Sequence, residues 1–193
     1  MRHKAGDRVE YVVTYLEMRA RPNHPRPHMP AGPVSMLVAA ERPPVWYFLQ
    51  LYDAVGRDYE WTDQHERPAE ELAALLDHPD VTLCTLIRAG WPHGFFLLDG
   101  RERGVCNLAY FGLMPQVIGR GLGRAFLRCA IDDCWAFRRP AVTVNTCTAD
   151  HPRALPIMRA RLREISRPRP VPPWRRCGVG SPGEKRRNSR ACV

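Results

Sequence analysis

The sequence has no apolar run of about eighteen residues, so it predicts no membrane-spanning helix. Its first residues, Met1 to Arg8, lead into no apolar signal core. Its seven cysteines have no metal-ligand spacing, and we expect them to be small buried side chains in a reducing compartment. These absences predict a cytoplasmic protein without a metal site.

An excess of charge of one sign is missing from most of the chain, although the net charge is +9. Residues 1–158 hold 18 Lys/Arg and 18 Asp/Glu, whereas residues 159–193 hold 11 and 2. The neutral part therefore gives no electrostatic reason to bind nucleic acid. Binding to nucleic acid or to an anionic surface would have to come from the basic tail.

The tail, residues 159–193, also lacks apolar periodicity and is rich in Pro, Gly, Ser and Arg. This composition predicts a disordered segment after one folded domain of residues 1–158. Two origins of the tail stay open. It is either a native basic extension or a frame-shifted C-terminus, because Arg and Pro are common products of GC-rich codons read out of frame.

A glycine-rich stretch between Gly119 and Gly123 lacks the features of two common phosphate loops. A P-loop needs Gly-Lys-Ser/Thr, but Leu-Gly-Arg-Ala follows Gly121. A dinucleotide fingerprint needs Gly-x-Gly-x-x-Gly and an acid about twenty residues later, and neither is present.

The same stretch reads as a strand, a glycine turn and the start of a helix. Apolar residues at Leu122, Phe126 and Ala130 share one helical face. The free N–H groups of a helix start can bind phosphate, and Arg120 and Arg124 add positive charge. The alternative is a left-handed turn that only joins the two elements.

The pattern Gln116-x-x-Gly119-x-Gly121 resembles the acyl-CoA pyrophosphate loop of the GNAT acetyltransferases. The flanking Tyr110-Phe-Gly-Leu and the stretch from Asn145 to Pro156 resemble one bacterial branch of that family, over roughly residues 8 to 158. The resemblance implies an α/β (α+β) fold with a mixed, mostly antiparallel central sheet flanked by helices.

The chain itself predicts the order β–α–α–β–β–β–α–β–α. The predicted strands are residues 9–18, 81–88, 91–98, 105–111 and 141–147, and the predicted helices are residues 45–55, 69–76, the one after the glycine turn and one from Ala154. The two closing strands of the family have no counterpart in the tail. We therefore expect an uncovered sheet edge that favours aggregation or a homodimer.

The resemblance implies that acetyl-CoA lies in a V between the strand ending near Phe111 and the strand ending near Cys147. It assigns to this co-substrate Phe111, Gly112, Leu113, Gln116, Gly119, Arg120, Gly121, Leu122, Gly123, Arg124 and His151. It assigns to the acceptor amine, a small molecule or a peptide, Tyr52, Asp53, Tyr59 and Trp61. A core-edge aromatic cluster is the alternative for these four.

Direct attack by an amine needs a base and an acid. Many GNAT enzymes have a Glu as the base and a Tyr as the acid, and the matching positions of this sequence hold Asn107 and Met158. Tyr110 or His151 could carry a proton through water. His151 could instead cap its helix. The sequence thus predicts an N-acetyltransferase with slow transfer. An acyl-CoA-binding domain with little transfer and a binding module that works through its basic tail are the alternatives.

Overall fold

The computed structural model describes residues 11–23, 25, 27–59 and 61–165. The strands are β1 (Val13–Met18), β2 (Ser35–Ala40), β3 (Val81–Arg88), β4 (Trp91–Asp99), β5 (Cys106–Leu113), β6 (Val142–Cys147) and β7 (Arg163–Glu164). The α-helices are α1 (Val45–Gly56), α2 (Ala69–Leu76), α3 (Leu122–Ala136) and α4 (Ala154–Arg159), and short 3₁₀ turns span Arg57–Tyr59 and Pro115–Val117.

The strands form one sheet in the order β2-β3-β4-β5-β6-β1-β7. Every neighbouring pair is antiparallel except β5 and β6, which are parallel. The predicted mixed, mostly antiparallel sheet flanked by helices is confirmed.

Helices cover both faces of this sheet. One apolar core lies between the sheet and α3, where Phe96 and Phe126 are fully buried, and the other lies under α1 and α2, where Phe48 and Phe95 are fully buried. Gly112 on β5 permits the second core, because a Cβ there would lie 2.2 Å from Val55 Cγ1. The absence of a side chain therefore lets α1 pack closely on β5.

One strand of the sheet, β2, is not predicted by the sequence analysis. It pairs with β3 along its whole length, from Ser35 opposite Arg88 to Ala40 opposite Leu83. Met36 and Val38 are exposed, so this edge strand lacks the regular apolar face that identifies a strand from sequence.

The N-terminal strand lies beside β6, where it covers the edge of that strand. The N-terminal strand β1 pairs with β6 from Val13 opposite Cys147 to Met18 opposite Val142. Leu16, at the centre of β1, is fully buried, so burial as well as hydrogen bonding holds the strand in place. Among the described residues, the outer edge of β1 is itself paired only at Leu16 and Glu17, with β7. The predicted uncovered sheet edge and the homodimer therefore stay predictions.

The ordered chain continues past the predicted domain boundary at residue 158. Leu162 is buried, and β7 pairs with β1 through Glu164 opposite Leu16. Residues 166–193 lie outside the described residues, so the predicted disorder and the two origins of the tail stay predictions. In the part of the chain that the structure describes, no helix has both the length and the apolar character needed to cross a membrane.

Candidate active site

The parallel strands β5 and β6 pair over three residues only and then separate. The pairing runs from Cys106 opposite Val142 to Leu108 opposite Val144, whereas β5 continues to Leu113 and β6 to Cys147. Each strand keeps its outer neighbour, β4 or β1, over the remaining length. The facing edges of β5 and β6 therefore open into a V at the carboxyl ends of two parallel strands, a place where ligands commonly bind in α/β sheets.

A cavity of about 1040 Å³ fills this V. This volume is at the upper end of the usual range for ligand sites, about 300–1000 Å³. Residues of both strands line it, together with the glycine turn, α4 and the loop after α1. Tyr11, Val13 and Tyr15 also line it, so the N-terminal strand that closes the sheet also forms part of the cavity wall.

The glycine turn joins β5 to α3 beside this cavity. Gly119 and Gly121 have φ values of +85° and +76°, which L side chains rarely adopt, and a Cβ on either residue would meet no atom within 4 Å. Gly121 is the N-cap of α3, and no side chain caps that helix. The first N–H groups of a 15-residue helix therefore face a space that glycine leaves open.

Most residues that the sequence assigns to the co-substrate line this cavity. They are Phe111, Gly112, Leu113, Gly119, Gly121, Leu122, Gly123, Arg124 and His151. Gln116 and Arg120 are both exposed, and Arg120 lies in a separate small depression beside Trp91. The structure does not bring Gln116 or Arg120 to the lining of the large cavity.

Asn107 and Met158 line the cavity, and each is only 4% exposed. Asn107 Oδ1 accepts a hydrogen bond of 3.1 Å from Thr143 Oγ1, while its Nδ2 has no hydrogen-bond partner among the described residues. Met158 packs in the core under α3. A thioether offers no proton, whereas the buried amide offers a free donor to a ligand.

His151 lies at the cavity wall just before α4, whose N-cap residue is Arg153 and which has no side-chain capping hydrogen bond. Its Nδ1 accepts a hydrogen bond of 3.1 Å from the backbone N–H of Arg153, at the start of α4. Its ring lies edge-on to Tyr59, with 6.0 Å between the centroids. The other ring nitrogen of His151, Nε2, is available to a ligand or to water.

A β-bulge on β5 directs Tyr110 towards α1. Leu97 pairs with Tyr110 and Leu98 pairs with Leu108, so Ala109 is the extra residue. Without the bulge, Tyr110 and Asn107 would point to opposite faces, because side chains alternate along a strand. With the bulge, Tyr110 pairs with Leu97 and Asn107 pairs with Asp99 on β4. Leu97 and Asp99 are two positions apart and point to the same face of the sheet, so Tyr110 and Asn107 share that face.

Tyr110 belongs to a hydrogen-bonded group of four side chains, Tyr52, Asp63, Gln64 and Tyr110, which we call the Asp63 cluster. Tyr110 Oη donates to Asp63 Oδ2 at 2.7 Å, and Tyr52 Oη donates to Asp63 Oδ1 at 2.5 Å. Gln64 Nε2 donates to both Asp63 Oδ2, at 2.5 Å, and Tyr110 Oη, at 2.6 Å. Arg67 donates to Gln64 Oε1 at 3.2 Å, which fixes the orientation of that amide.

The environment keeps both phenols of the Asp63 cluster protonated. Burial is the largest cause that raises the pKa of Tyr110 well above its ordinary value, and the Asp63 carboxylate adds to it. Burial and then Asp63 raise the pKa of Tyr52 in the same way. Both hydroxyl groups therefore act as donors to one carboxylate at neutral pH.

The four residues predicted for the acceptor lie in different environments. Tyr59 and Trp61 line the cavity, whereas Tyr52 is fully buried behind it and Asp53 pairs with His65 at 2.5 Å. Trp61 Nε1 donates to Asp150 Oδ1 at 3.2 Å, and Asp150 Oδ2 accepts from Thr146 Oγ1 at 2.7 Å. Trp61 is thereby tied to the end of β6.

Sequence reasoning missed Asp63, Gln64, Arg67 and Asp150. Three of them lie in the polar stretch between α1 and α2, which carries no motif, and the tyrosines that Asp63 and Gln64 contact lie on α1 and β5, at least eleven residues away in the sequence. The one available signal was the concentration of acidic and aromatic residues from Tyr59 to Glu66. Among the described residues, no group of three or more His, Cys, Asp or Glu side chains is arranged to hold a metal ion.

The lining residues differ in charge between two sides of the cavity. The glycine-turn side comprises Gly119, Gly121, Gly123 and Arg124, and the Asp63 side comprises the Asp63 cluster, whose Tyr52 is buried behind the lining, with Trp61 and Asp150. The first offers backbone N–H groups and a guanidinium group. The second offers carboxylates surrounded by aromatic rings, with Trp61 and Tyr110 centroids 5.4 Å apart. One cavity can therefore hold an anionic group and a cationic group at the same time.

No family model and no curated protein matches the sequence. Solved structures do match. An aminoglycoside acetyltransferase from an uncultured soil metagenomic sample, in complex with trehalose, has a TM-score of 0.53 at 14% identity, over 66% of this chain and 86% of that one. A second one from a soil metagenome has a TM-score of 0.53 at 15% identity, over 72% and 98%. A GCN5-related N-acetyltransferase from Sphaerobacter thermophilus has a TM-score of 0.53 at 14% identity, over 83% of this chain and 50% of that one.

These similar structures are acetyltransferases of the GNAT fold, and the identities are low. The chain therefore has the GNAT fold, as the glycine-loop resemblance predicted.

Proposed function

We propose that this protein is an N-acetyltransferase that moves an acetyl group from acetyl-CoA to a small-molecule or peptidic amine by direct attack. One observation carries the proposal: the uncapped start of α3, behind Gly119 and Gly121, faces the V between β5 and β6. Helix-terminal N–H groups bind phosphate oxygens, and Arg124 adds a full positive charge. The GNAT fold supports the same reading.

The facing strand edges in the V suit the extended arm of acetyl-CoA. Beyond Leu108, the inner edge of β5 has no strand partner in residues 11–165 as far as these are described, so its backbone groups can pair with an extended amide chain as another strand would. An N–H of that edge near Phe111 would polarise the thioester carbonyl. Attack by a neutral amine then forms the amide bond, and the C–S electron pair leaves with the coenzyme A sulfur.

Two glycine variants test whether acetyl-CoA binds at the glycine turn. Gly121→Ala and Gly90→Ala both place a Cβ at positive φ, +76° and +84°, with no atom within 4 Å. Both should lose roughly 1–2 kcal/mol of folding free energy through left-handed strain. Gly121 lines the cavity, whereas Gly90 lies in the turn between β3 and β4. We expect only Gly121→Ala to weaken acetyl-CoA binding in calorimetry, and equal affinities would contradict the assignment.

Transfer itself is tested by thiol release from acetyl-CoA with a panel of amines. The panel holds an aminoglycoside, a polyamine, a lysine peptide and n-butylamine, and the acetylated products are identified by mass spectrometry. Binding of acetyl-CoA without release above the hydrolysis rate for any amine would favour the second candidate, an acyl-CoA-binding domain. The specific observation behind that candidate is that Asn107 and Met158 offer neither a base nor an acid.

A further inference from the structure

We propose that Tyr110 and Asp63 together take the proton from the acceptor ammonium, with Tyr110 as the catalytic residue and Asp63 as the residue that receives the proton through it. This inference rests on the proposed function, because it assigns the missing base of that reaction. It also names the acceptor class: a primary amine that arrives as a cation.

The hydrogen bonds of Tyr110 leave one position open at its oxygen. A phenolic oxygen has one proton and two lone pairs. The proton goes to Asp63 Oδ2 at 2.7 Å, and one lone pair accepts from Gln64 Nε2 at 2.6 Å. The second lone pair remains for an N–H of a ligand in the cavity that Tyr110 lines.

The surroundings favour a cation at this point. Asp63 lines the cavity and, within the described part of the chain, accepts hydrogen bonds only from neutral donors, namely Tyr52, Tyr110 and Gln64. No direct ion pair among these residues therefore neutralises its negative charge. The rings of Trp61 and Tyr110, 5.4 Å apart, add faces that attract cations.

The side-chain amide of Asn107 is an independent sign that ligand atoms lie near Tyr110. Asn107 is 4% exposed and lines the same cavity, yet no residue that the structure describes forms a hydrogen bond with its Nδ2. The bulge at Ala109 puts Asn107 and Tyr110 on the same face of β5. A buried amide N–H without a partner is costly, so it indicates that an oxygen of the bound ligands completes the site.

The proton transfer balances in two linked movements. An N–H bond of the ammonium breaks and an O–H bond forms at Tyr110, while the original Tyr110 proton passes to Asp63 Oδ2. The nitrogen keeps the electron pair and attacks the thioester carbonyl, the C–S bond breaks towards sulfur, and the second nitrogen proton goes to the thiolate. Asp63 later releases its proton to solvent.

Several other ionisable groups face this pair. Tyr52 and Asp53 approach from α1, and the loop after it provides His65, Glu66 and Arg67, of which Arg67 acts on Tyr110 by charge. Asp150 approaches from the end of β6 through Trp61. None of these lies between Tyr110 Oη and Asp63 Oδ2, which are in direct contact.

The test compares Tyr110→Phe with Tyr52→Phe, which removes an equivalent buried hydroxyl donor from the same carboxylate. Tyr52 is fully buried and does not line the cavity, so it controls for the loss of a phenolic hydrogen bond to Asp63. With saturating acetyl-CoA and n-butylamine, we expect Tyr110→Phe to lower the single-turnover rate by about 10²–10⁴-fold, the usual share of a general base. Tyr52→Phe should lower it by less than about tenfold.

The pH profile separates a catalytic role from a structural one. In the unmodified protein, kcat/KM for n-butylamine should reach a plateau below the pKa of the amine, because the cationic form of the amine reacts and passes its proton to Tyr110. In Tyr110→Phe it should rise about tenfold per pH unit up to the pKa of the amine, since only free amine then reacts. The amine p-anisidine is neutral at pH 7 and has no ammonium proton to lose. With this amine, Tyr110→Phe should retain most of the transfer rate of the unmodified protein.

The outcomes distinguish this inference from the proposed function. Equal rates and parallel pH profiles for the two tyrosine variants would overturn the relay while leaving the transferase intact. Unaltered acetyl-CoA affinity in both variants, measured by calorimetry, excludes a general loss of structure. No transfer to any amine of the panel by the unmodified chain, despite acetyl-CoA binding, would instead overturn the proposed function.

Discussion

The two sides of the cavity are built in different ways. The glycine-turn side comes from one contiguous segment, residues 119–124, and its main ligand groups are backbone N–H groups at the start of α3. The Asp63 side joins side chains from α1, from the loop after α1, from β5 and from the turn after β6, which are up to 98 residues apart in the sequence (Tyr52 and Asp150). A local backbone site needs only a short pattern of glycines. A side-chain site depends on the whole fold for its geometry.

The comparison predicts that each side can be disabled without affecting the other. Variants on the glycine-turn side should change acetyl-CoA affinity, and variants on the Asp63 side should change amine turnover. Four measurements test this separation, beginning with the largest expected effect.

Gly123→Val should give the largest loss of acetyl-CoA affinity. A Cβ at Gly123 would lie 3.8 Å from Leu113 Cδ1 and 4.0 Å from Ile157 Cδ1, so it fits, and the added methyl groups of Val would extend into the cavity. Loss of two charge-assisted hydrogen bonds at about 1.5–3 kcal/mol each corresponds to more than about 100-fold in affinity. Calorimetry measures this. Gly123→Ala is the control, because its single Cβ makes only ordinary contacts and replaces glycine in a helix.

Cys147 should report acetyl-CoA binding through its reactivity. It lines the cavity at the end of β6, and burial, together with Asp150, raises the pKa of its thiol to about 11. Only the thiolate is alkylated, so at pH 8 about 10⁻³ of Cys147 is reactive, against about 10⁻¹ of an ordinary thiol, a difference of roughly 100-fold. Iodoacetamide labelling followed by peptide mapping measures the rate. Labelling should accelerate as pH rises towards 11, and acetyl-CoA should slow it further; rapid labelling at pH 7 would contradict the placement.

The same contrast explains how much could be predicted from the sequence. The strands β3, β4 and β6 and the helix α2 have regular apolar patterns, and the glycine turn has a motif, so the sequence predicts them nearly to the residue. The role of β1 as the neighbour of β6 could not be predicted, because pairing between the two ends of a chain leaves no local signal. Asp63 could not be predicted either, since a carboxylate in a polar loop becomes part of a site only when a bulge turns Tyr110 towards it.

Arg124 and Arg120 provide a matched pair on the glycine-turn side. Both are exposed arginines near the start of α3, but only Arg124 lines the large cavity. Arg124→Ala should weaken acetyl-CoA binding about tenfold, the low end of the range for a charge-assisted hydrogen bond because the site is exposed to solvent. Added salt should reduce the difference. Arg120→Ala should bind as the unmodified protein does, and equal losses in the two variants would mean that charge near the turn matters but the cavity does not.

Trp61→Phe should give the smallest effect and should act on the Asp63 side alone. The substitution keeps an aromatic ring beside Tyr52 and Tyr110, whose centroids lie 5.3 and 5.4 Å from that of Trp61, and removes the 3.2 Å hydrogen bond to Asp150. Asp150 keeps its donors Thr146 and Cys147, so no carboxylate is left without partners. The variant should lose about 0.5–1.5 kcal/mol of unfolding free energy in urea titration.

The functional consequence of Trp61→Phe follows from its position. Trp61 ties the loop that carries Asp63 to the end of β6, so its loss should let that loop move relative to the V. We expect the KM for n-butylamine to rise a few-fold, while calorimetry finds the same acetyl-CoA affinity as before. A comparable loss of acetyl-CoA affinity would show that the two sides of the cavity are coupled through β6, and the separation between a backbone-built side and a side-chain-built side would then fail.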